Sequence, residues 1–298
     1  MENKMSRLFV GLVLALLSIF GFASTFIVGA ALTKSCHVSP EVLACLRFVI
    51  AGTVMAAWMA CLPQERARIA SLTRRDLLDL LWLGPVGTTL MAWCVFMGCA
   101  RVSAANASMA DALTPIMIFL VAVLKTRRAN LAELASLACG LVGALLVIQI
   151  VTTKGLALSA YSVGDVYVLL AAVTWSVYTV YGRDLIVRLG SSLFTMLTML
   201  MGAALFSPLL LFLDLAWPTT SAAWLLVLAL GLVSTLLPFW AWNAAQKFLP
   251  MAVLGVCAYF TPVFSVALAS LFLGESATPL QWLGTVFIVV SGFLSPRS

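Results

Sequence analysis

Leu81-Trp-Leu-Gly-Pro-Val-Gly-Thr88 and Leu228-Ala-Leu-Gly-Leu-Val-Ser-Thr235 are two versions of one stretch, and they lie 147 positions apart. Over the 16 residues that begin at these two leucines, seven positions are identical, and Trp93 falls on Trp240. A leucine-rich composition produces some matches by chance, but it does not align a glycine, a threonine and a tryptophan at one offset. The pattern therefore indicates one unit written twice.

A second motif keeps the same offset, because the pair Thr114-Pro115 falls on Thr261-Pro262. Interrupted apolar segments at corresponding places in two halves point to the binding site of a transporter. Proline removes a backbone donor from a helix, so Pro115 and Pro262 are predicted hinges, with a static kink as the alternative. The chain divides into a first repeat over 1–152, a connection over 153–163 and a second repeat over 164–298.

The composition is that of a membrane protein: 63% of the 298 residues are hydrophobic, 9% are charged, and the mean hydropathy is +1.12. Soluble domains carry about 25% charged residues, so this chain lacks the polar surface that a protein in water requires. About 20 apolar residues cross a membrane as a helix, and lipid offers no partner for backbone amides in other conformations. Ten spans are predicted: 8–32, 39–61, 77–99, 103–124, 131–151, 164–185, 191–213, 222–246, 251–272 and 278–294.

Lysine and arginine residues decide the predicted orientation, because cytoplasmic loops of membrane proteins are enriched in them. With the N-terminus in the cytoplasm, 13 of these residues lie in inside segments, three lie in outside segments, and Arg47 lies within a span. Both termini are therefore predicted to be cytoplasmic. Each repeat holds five spans, an odd number, so the second repeat enters the membrane from the opposite side. The predicted fold class is an all-α membrane protein with ten transmembrane helices as two inverted-topology five-helix repeats.

Several classes of function are disfavoured by composition and motifs. The net charge of +6 is spread over short loops, as membrane topology requires, so we expect no nucleic acid as partner. Seven cysteines without a CxxC pair and a single histidine, His37, predict no metal site, disulfide or Ser-His catalytic pair. The chain has no GxxxxGK[ST] loop for ATP. We predict no cofactor and no enzymatic activity, with a membrane-embedded enzyme and a passive channel as alternatives.

Further motifs complete a pattern known from one family: Arg47-Phe48 in the second span, the two Thr-Pro pairs, and Leu273-Gly-Glu275 after the ninth span. With two five-helix halves, these features resemble the EamA-type branch of the drug/metabolite transporter superfamily over nearly the whole chain. Within that branch, the chain resembles the bacterial amino-acid exporters, including those for aromatic amino acids. The resemblance implies a central cavity between the halves, lined by spans 1, 3, 4, 6, 8 and 9. It also implies export of small metabolites across the bacterial cytoplasmic membrane.

Polar and aromatic residues inside spans are costly unless they face protein or a water-filled cavity, so they are the candidates for substrate contact. Asp111 is the one carboxylate well inside a span, and its predicted role is to bind a substrate amine or a proton. Pairing with Arg47 or Arg101 is the structural alternative. The predicted substrate-binding residues are Phe22, Thr25, Trp93, Phe96, Asn106, Ala110, Asp111, Trp175, Tyr178, Trp240, Asn243 and Tyr259.

Two further positions have competing interpretations. Trp175 lies about 16 Å into its span at 1.5 Å per residue, too deep for the aromatic belt at the membrane surface. We therefore assign Trp175 and Tyr178 to the cavity rather than to packing. Arg47 has the opposite assignment: capture of a substrate carboxylate is one role, but we favour a packing cation that is paired or reaches outward.

Together these expectations describe a secondary transporter that works by alternating access. Its predicted substrates are small amphipathic metabolites, among them amino acids with apolar or aromatic side chains, and protons are a candidate coupling ion through Asp111. Other metabolites or drugs handled by the same superfamily are the alternative substrates. Beyond the small-molecule substrate and the lipid bilayer we predict no partner, and we expect a monomer.

Overall fold

The computed structural model describes residues 2–101, 113–127, 131–147, 151–152, 155–156, 163–261, 263–264 and 279–294. In the first half these residues form seven helices: α1 (Glu2–Ala30), α2 (Pro40–Ala60), α3 (Pro63–Ala70), α4 (Arg74–Pro85), α5 (Met91–Arg101), α6 (Thr114–Thr126) and α7 (Leu131–Val147). In the second half they form six: α8 (Val163–Leu189), α9 (Ser191–Phe206), α10 (Ser221–Gly231), α11 (Leu237–Ala245), α12 (Met251–Ala258) and α13 (Pro279–Leu294). Val151–Thr152 and Gly155–Leu156 pair as two antiparallel strands, β1 and β2, of two residues each.

Among the described residues, six helical segments are long and apolar enough to cross a membrane: Ser6–Ser35, Pro40–Ala60, Arg74–Arg101, Val163–Leu189, Ser191–Phe212 and Ser221–Ala245. Three shorter apolar helices add to them: Thr114–Thr126, Leu134–Gly143 and Trp282–Ser291. The predicted fourth and ninth spans extend into residues outside the described part, so the number of ten spans stays a prediction. Large apolar side chains are exposed on the outer helix faces, for example Phe9, Leu225 and Trp282, as contact with lipid requires.

The helix that opens the third span begins earlier than the predicted start at residue 77, because Thr73 caps it. Thr73 Oγ1 accepts a hydrogen bond from the Asp76 amide, and Asp76 Oδ2 accepts one from the Thr73 amide. This reciprocal arrangement is a capping box, which supplies partners for two otherwise unpaired donors. Asp76 Oδ1 also lies 2.9 Å from Arg188 Nη2, so the start of α4 is joined to the end of α8.

The third and eighth spans each contain a π-helical turn at nearly the same place in the repeat. Val86–Leu90 separates α4 from α5, and Leu232–Leu236 separates α10 from α11. Pro238 follows the second of these turns and lacks a backbone N–H, so the Ser234 carbonyl four residues earlier loses its helical donor. Side chains from the first half donate to that carbonyl instead, which brings polar groups to the centre of the molecule.

Contacts between the two halves occur in equivalent pairs: where a helix of the first half packs on a helix of the second, their counterparts in the opposite halves also pack on each other. α1 packs on α11, and in the exchanged pair α8 packs on α5. α4 packs on α9, and in the exchanged pair α10 packs on α2. The pairs α2–α9, α6–α12 and α7–α13 each join helices that hold the same place in both halves.

Helices that hold the same place run antiparallel to each other. Along α7, Ser136 Oγ donates to the Ser291 carbonyl at 2.7 Å, and two turns later in α7 Gly143 approaches Gly284, which precedes Ser291 in α13. The neighbours between α2 and α9 show the same opposed direction: Cys45 with Ala203, and Gly52 with Leu200. Small residues at these crossings let the helix backbones approach closely, as is typical of helix pairs in membranes.

Candidate functional site

A cavity of about 60 Å³ lies where helices of both halves meet at the centre of the molecule. A water molecule occupies roughly 10–15 Å³ on this scale, so the cavity holds a few waters and is too small for a whole amino acid. The residues that line it are Ile19, Phe22, Thr25, Phe26, Arg47, Met91, Val95, Thr114, Ala171, Trp175, Trp242, Ala258 and Thr261.

Aromatic rings form one wall of this central cavity. The Trp175 ring lies 5.1 Å from Phe22, 5.1 Å from Phe239 and 5.7 Å from Trp242, measured between ring centroids. The Tyr178 ring, which does not line the cavity, stacks on the Trp175 ring with 5.4 Å between the ring centroids. Edge-to-face and stacked rings at these separations attract one another and hold their orientation. The wall is thus a rigid apolar surface that fits a flat or branched apolar group.

Arg47 enters the cavity from α2 with only 2% of its surface exposed. Its Nε donates to Thr235 Oγ1 at 2.8 Å, and its Nη2 donates to the Ser234 carbonyl at 3.3 Å. Its Cζ lies 5.0 to 6.0 Å from the centroids of three rings, which are those of Phe48, Phe96 and Phe239. Cation–π attraction therefore adds to two hydrogen bonds from neutral acceptors.

Sequence alone favoured a packing cation that is paired with a neighbouring group or reaches outward; the side chain pairs with two neutral neighbours, Thr235 and Ser234, and does not reach outward. The side chain is buried at the cavity, and it forms no ion pair with the carboxylates that the structure describes. The physical reason is the broken helix opposite α2, because the π-turn and Pro238 turn free acceptors toward the guanidinium. Arg47 thus brings a positive charge to the centre of the molecule.

Three of the predicted substrate-binding residues line the cavity: Phe22, Thr25 and Trp175. Thr25 Oγ1 donates to the Ser234 carbonyl at 3.2 Å. Two more lie directly behind the lining, since Phe96 faces Arg47 and Tyr178 stacks on Trp175. These five residues come from three separate helices, and the fold brings them together around the cavity.

Asn243 belongs to a buried network rather than to the cavity lining. Its Nδ2 donates to Tyr178 Oη at 2.9 Å and to Thr195 Oγ1 at 2.8 Å. Its Oδ1 accepts from Gln246 Nε2 at 3.2 Å, and Tyr178 Oη lies 3.3 Å from Thr198 Oγ1. Buried polar groups in contact with one another fix a unique packing, so this network locks α8, α9 and α11 together.

Three predicted residues lie away from the central cavity. Each donates a hydrogen bond to a protein acceptor: Trp93 Nε1 to Glu41 Oε1 at 2.9 Å, Trp240 Nε1 to Ser192 Oγ at 3.1 Å, and Tyr259 Oη to the Leu137 carbonyl at 2.8 Å. The Tyr259 ring is fully buried against α7. Their polar atoms therefore serve contacts between helices in the described conformation.

Of the remaining predicted residues, the structure describes only Pro115. Asn106, Ala110, Asp111 and Pro262 lie outside the described residues. Pro115 is the second residue of α6. A helix tolerates proline there, because a backbone N–H in the first turn would have no acceptor within the helix.

A second, wider cavity of about 450 Å³ adjoins the first along α6, α8 and α12. The two cavities share these helices, since Thr114 lines the first and Pro115 the second. At its rim, Lys125 Nζ lies 2.8 Å from Asp184 Oδ2 and donates to the Val180 carbonyl at 3.1 Å. The wider cavity is thus a vestibule whose α6 and α8 edges are linked by an ion pair.

Sequence reasoning missed several residues of the lining. Trp242 is the largest of them, and its Nε1 donates to Thr179 Oγ1 at 3.2 Å while its ring faces Trp175. Pro238 in the same helix is the signal that pointed there, because it marks the place where the helix opens. Small lining residues such as Ala171 and Ala258 carry no such signal. No group of metal-binding side chains occurs within the described part of the chain.

Known proteins resemble this chain over most of its length. An uncharacterized transporter of Bacillus subtilis, YetK, is 22% identical over 258 residues, which cover 84% of this chain and 76% of the relative. An uncharacterized transporter of Archaeoglobus fulgidus is 23% identical over 261 residues, covering 87% of this chain and 88% of the relative. The chloramphenicol-sensitive protein RarD of Pseudomonas aeruginosa is 38% identical over 81 residues, or 25% of this chain and 26% of RarD.

A protein of known crystal structure shares the fold, with a TM-score of 0.74 and 23% identity over 95% of both chains. The sequence profile of the EamA-like transporter family matches this chain twice, over residues 9–149 and 162–295. These two segments comprise nearly all of the helices described above. The chain therefore belongs to the EamA-like transporter family and is a multi-pass membrane transporter.

Proposed function

We propose that this chain is a secondary transporter of small amphipathic metabolites, including amino acids with large apolar or aromatic side chains. Two five-helix halves of inverted topology rock about the central cavity and open it alternately to each side of the membrane. Support comes from the exchange pattern of helix contacts, from the antiparallel course of corresponding helices and from the two family matches. Inverted halves around a central site are the common architecture of alternating access.

The observation that carries the proposal is the central cavity itself. One wall consists of aromatic rings around Trp175, and the lining also includes Arg47 and the side chains of Thr25 and Thr114. A site with an apolar wall and a few convergent polar groups selects a solute that has an apolar body and one polar end. Amino acids with large side chains meet both requirements.

The position of the vestibule supports an opening toward the cytoplasm in the described conformation. It leads from the central cavity toward Lys125 and Arg183, and basic residues are typical of the cytoplasmic side. We place both chain termini on that side, and we place the protein in the bacterial cytoplasmic membrane as a monomer. A solute entering from the cytoplasm through this vestibule and leaving on the other side would be exported.

The proposal is tested by counterflow with purified protein in liposomes. Vesicles loaded with unlabelled phenylalanine, tryptophan or leucine should take up the labelled amino acid faster than empty vesicles, with saturation. Chloramphenicol belongs in the panel because a relative over 81 residues is named for sensitivity to it. Uptake without acceleration by internal solute, and without saturation, would identify a passive channel and refute the proposal.

Two tryptophan variants localise the site. Trp175→Ala removes the central ring of the aromatic wall, and we expect the half-saturation concentration to rise about tenfold, from loss of ring contacts of roughly 1 kcal/mol or more. Trp282→Ala is the matched control, because that ring is 65% exposed on α13 and away from the cavity. Equal half-saturation values for the two variants would contradict the location of the site.

A further inference from the structure

Arg47 is a buried charge for which the described part of the fold offers only neutral partners. Two of its five N–H groups donate to Thr235 Oγ1 and to the Ser234 carbonyl. The others make no hydrogen bond with the residues that the structure describes, although the side chain lines a cavity. Removing a charge from water costs several kcal/mol unless an opposite charge compensates it, so such a residue is expected to have a function.

The repeat provides a direct comparison for this residue, because the fold builds the same helix crossing twice. In one copy a methyl group on Gly231 would lie 3.5 Å from the Arg47 carbonyl of α2. In the other copy a methyl group on Gly84 would lie 3.0 Å from the Thr198 carbonyl of α9. The two glycines are equivalent at the 147-residue offset, so Arg47 and Thr198 hold equivalent places. The residues one turn later contact the same two glycines: Ile50 and Met201.

The second copy shows that the crossing needs no positive charge. Thr198 fills the place with its hydroxyl directed at the Phe194 carbonyl of its own helix, at 2.9 Å, and the helices still pack closely. The Ser234 carbonyl, which Pro238 leaves without a helical donor, also has another donor besides Arg47, because Thr25 Oγ1 lies 3.2 Å from it. The packing of the helix crossing and the free carbonyl therefore do not by themselves require a guanidinium at position 47.

We infer that Arg47 is the anion-binding residue of the central site and that the transported solute carries a carboxylate. A guanidinium presents a planar fork of donors that matches the two oxygens of a carboxylate. The aromatic wall around Trp175 and Phe22 faces the same cavity and accepts the apolar body of the solute. The ligand class is a small monocarboxylate with an apolar or aromatic body. The inference rests on the proposed function, and it adds that the carboxylate is required.

Matched solutes test the inference. For each candidate, the carboxylic acid is compared with its neutral carboxamide as a competitor of counterflow, for example 3-phenylpropionate with 3-phenylpropionamide. In the wild type we expect the acid to compete roughly tenfold to a hundredfold more strongly, which is the range for hydrogen bonds to a charged group. Arg47→Met should abolish this preference, and Arg47→Lys should keep a reduced preference because the charge remains. Arg101→Met is the control, since Arg101 is exposed at the end of α5 and should leave the preference unchanged.

Binding in detergent gives a second readout that does not depend on transport. Thermal unfolding of the purified wild type should shift upward with the acid and not with the amide, and the shift should disappear in Arg47→Met. An acid preference that persists in a folded Arg47→Met variant, or no acid preference in the wild type, overturns the inference. If Arg47→Met does not fold, the wild-type comparison and Arg47→Lys still decide it. Absence of counterflow for every solute, together with acid-specific binding, would refute the proposed function and leave the anion site standing.

Discussion

Gly143→Ala tests whether the close antiparallel contact of α7 with α13 stabilises the fold. A methyl group on Gly143 would lie 2.6 Å from the Gly284 carbonyl oxygen and 2.8 Å from the Ile288 amide nitrogen. Carbon–oxygen contacts between helices usually lie at about 3.3 Å or more, so the α13 backbone must retreat by roughly 0.7 Å. Backbone atoms in a helix cannot rotate away as a side chain can, so both helices have to separate.

The expected cost follows from that displacement. Forcing an extra methyl group into a packed interior costs about 1–3 kcal/mol. At roughly 2 °C per kcal/mol for a chain of this size, the midpoint of thermal unfolding should lie about 2–6 °C below that of a glycine-to-alanine variant that makes no clash. The assay is unfolding of the purified protein in a mild detergent, followed by circular dichroism or by tryptophan fluorescence.

Gly255→Ala is the matched control for this prediction. Gly255 also lies in a helix, but a methyl group there would have its nearest contact at 3.7 Å, with the Pro115 carbonyl, which is ordinary van der Waals distance. The gain in helix propensity from glycine to alanine is about 1 kcal/mol at both sites, so the difference between the variants reports the clash alone. Equal unfolding midpoints for the two variants would refute the packing argument.

Three further predictions address the network, the coupling ion and the topology. Asn243→Leu leaves Tyr178 and Thr195 without their buried donor, and it should lower the free energy of unfolding by about 2–3 kcal/mol. An unfolding midpoint within 1 °C of the wild type would contradict the role of the network in stability. If Asp111 carries the coupling proton, Asp111→Asn should remove the pH dependence of counterflow while binding persists; unchanged pH dependence would exclude that role. Reporter fusions to either terminus should show fluorescence of a cytoplasmic reporter and no periplasmic phosphatase activity, and the reverse result at one end would refute the even number of spans.

The helical spans were readable from sequence because a membrane leaves few alternatives for an apolar segment. The break in the eighth span was not predicted, although Pro238 cannot donate a backbone hydrogen bond and Pro85 stands near the same place in the other repeat. The start of α4 was predicted too late, although the capping residue Thr73 and its partner Asp76 stand in the sequence in the expected spacing.

The cavity was predictable only in part, because these helices are apolar on nearly every face. For such a helix the sequence does not distinguish a ring that faces a cavity from one that faces a neighbouring helix. Trp175 and Trp240 both lie inside apolar spans, yet of these two only Trp175 lines the central cavity. The acceptors of Arg47 could not be read from the sequence, because they belong to the other half of the chain, 187 and 188 positions away.

The unequal occupants of the two equivalent crossings, Arg47 and Thr198, bear on how a solute is posed. A hollow with strict two-fold symmetry would accept a molecule with a head and a tail in two opposite poses of equal energy. Arg47 on one side of the axis removes that degeneracy, and so does the unequal pair of rings Phe22 and Trp175, which fall on each other at an offset of 153 residues between the repeats. If the proposed site binds the solute, divergence after duplication gives the carrier one preferred orientation for its cargo.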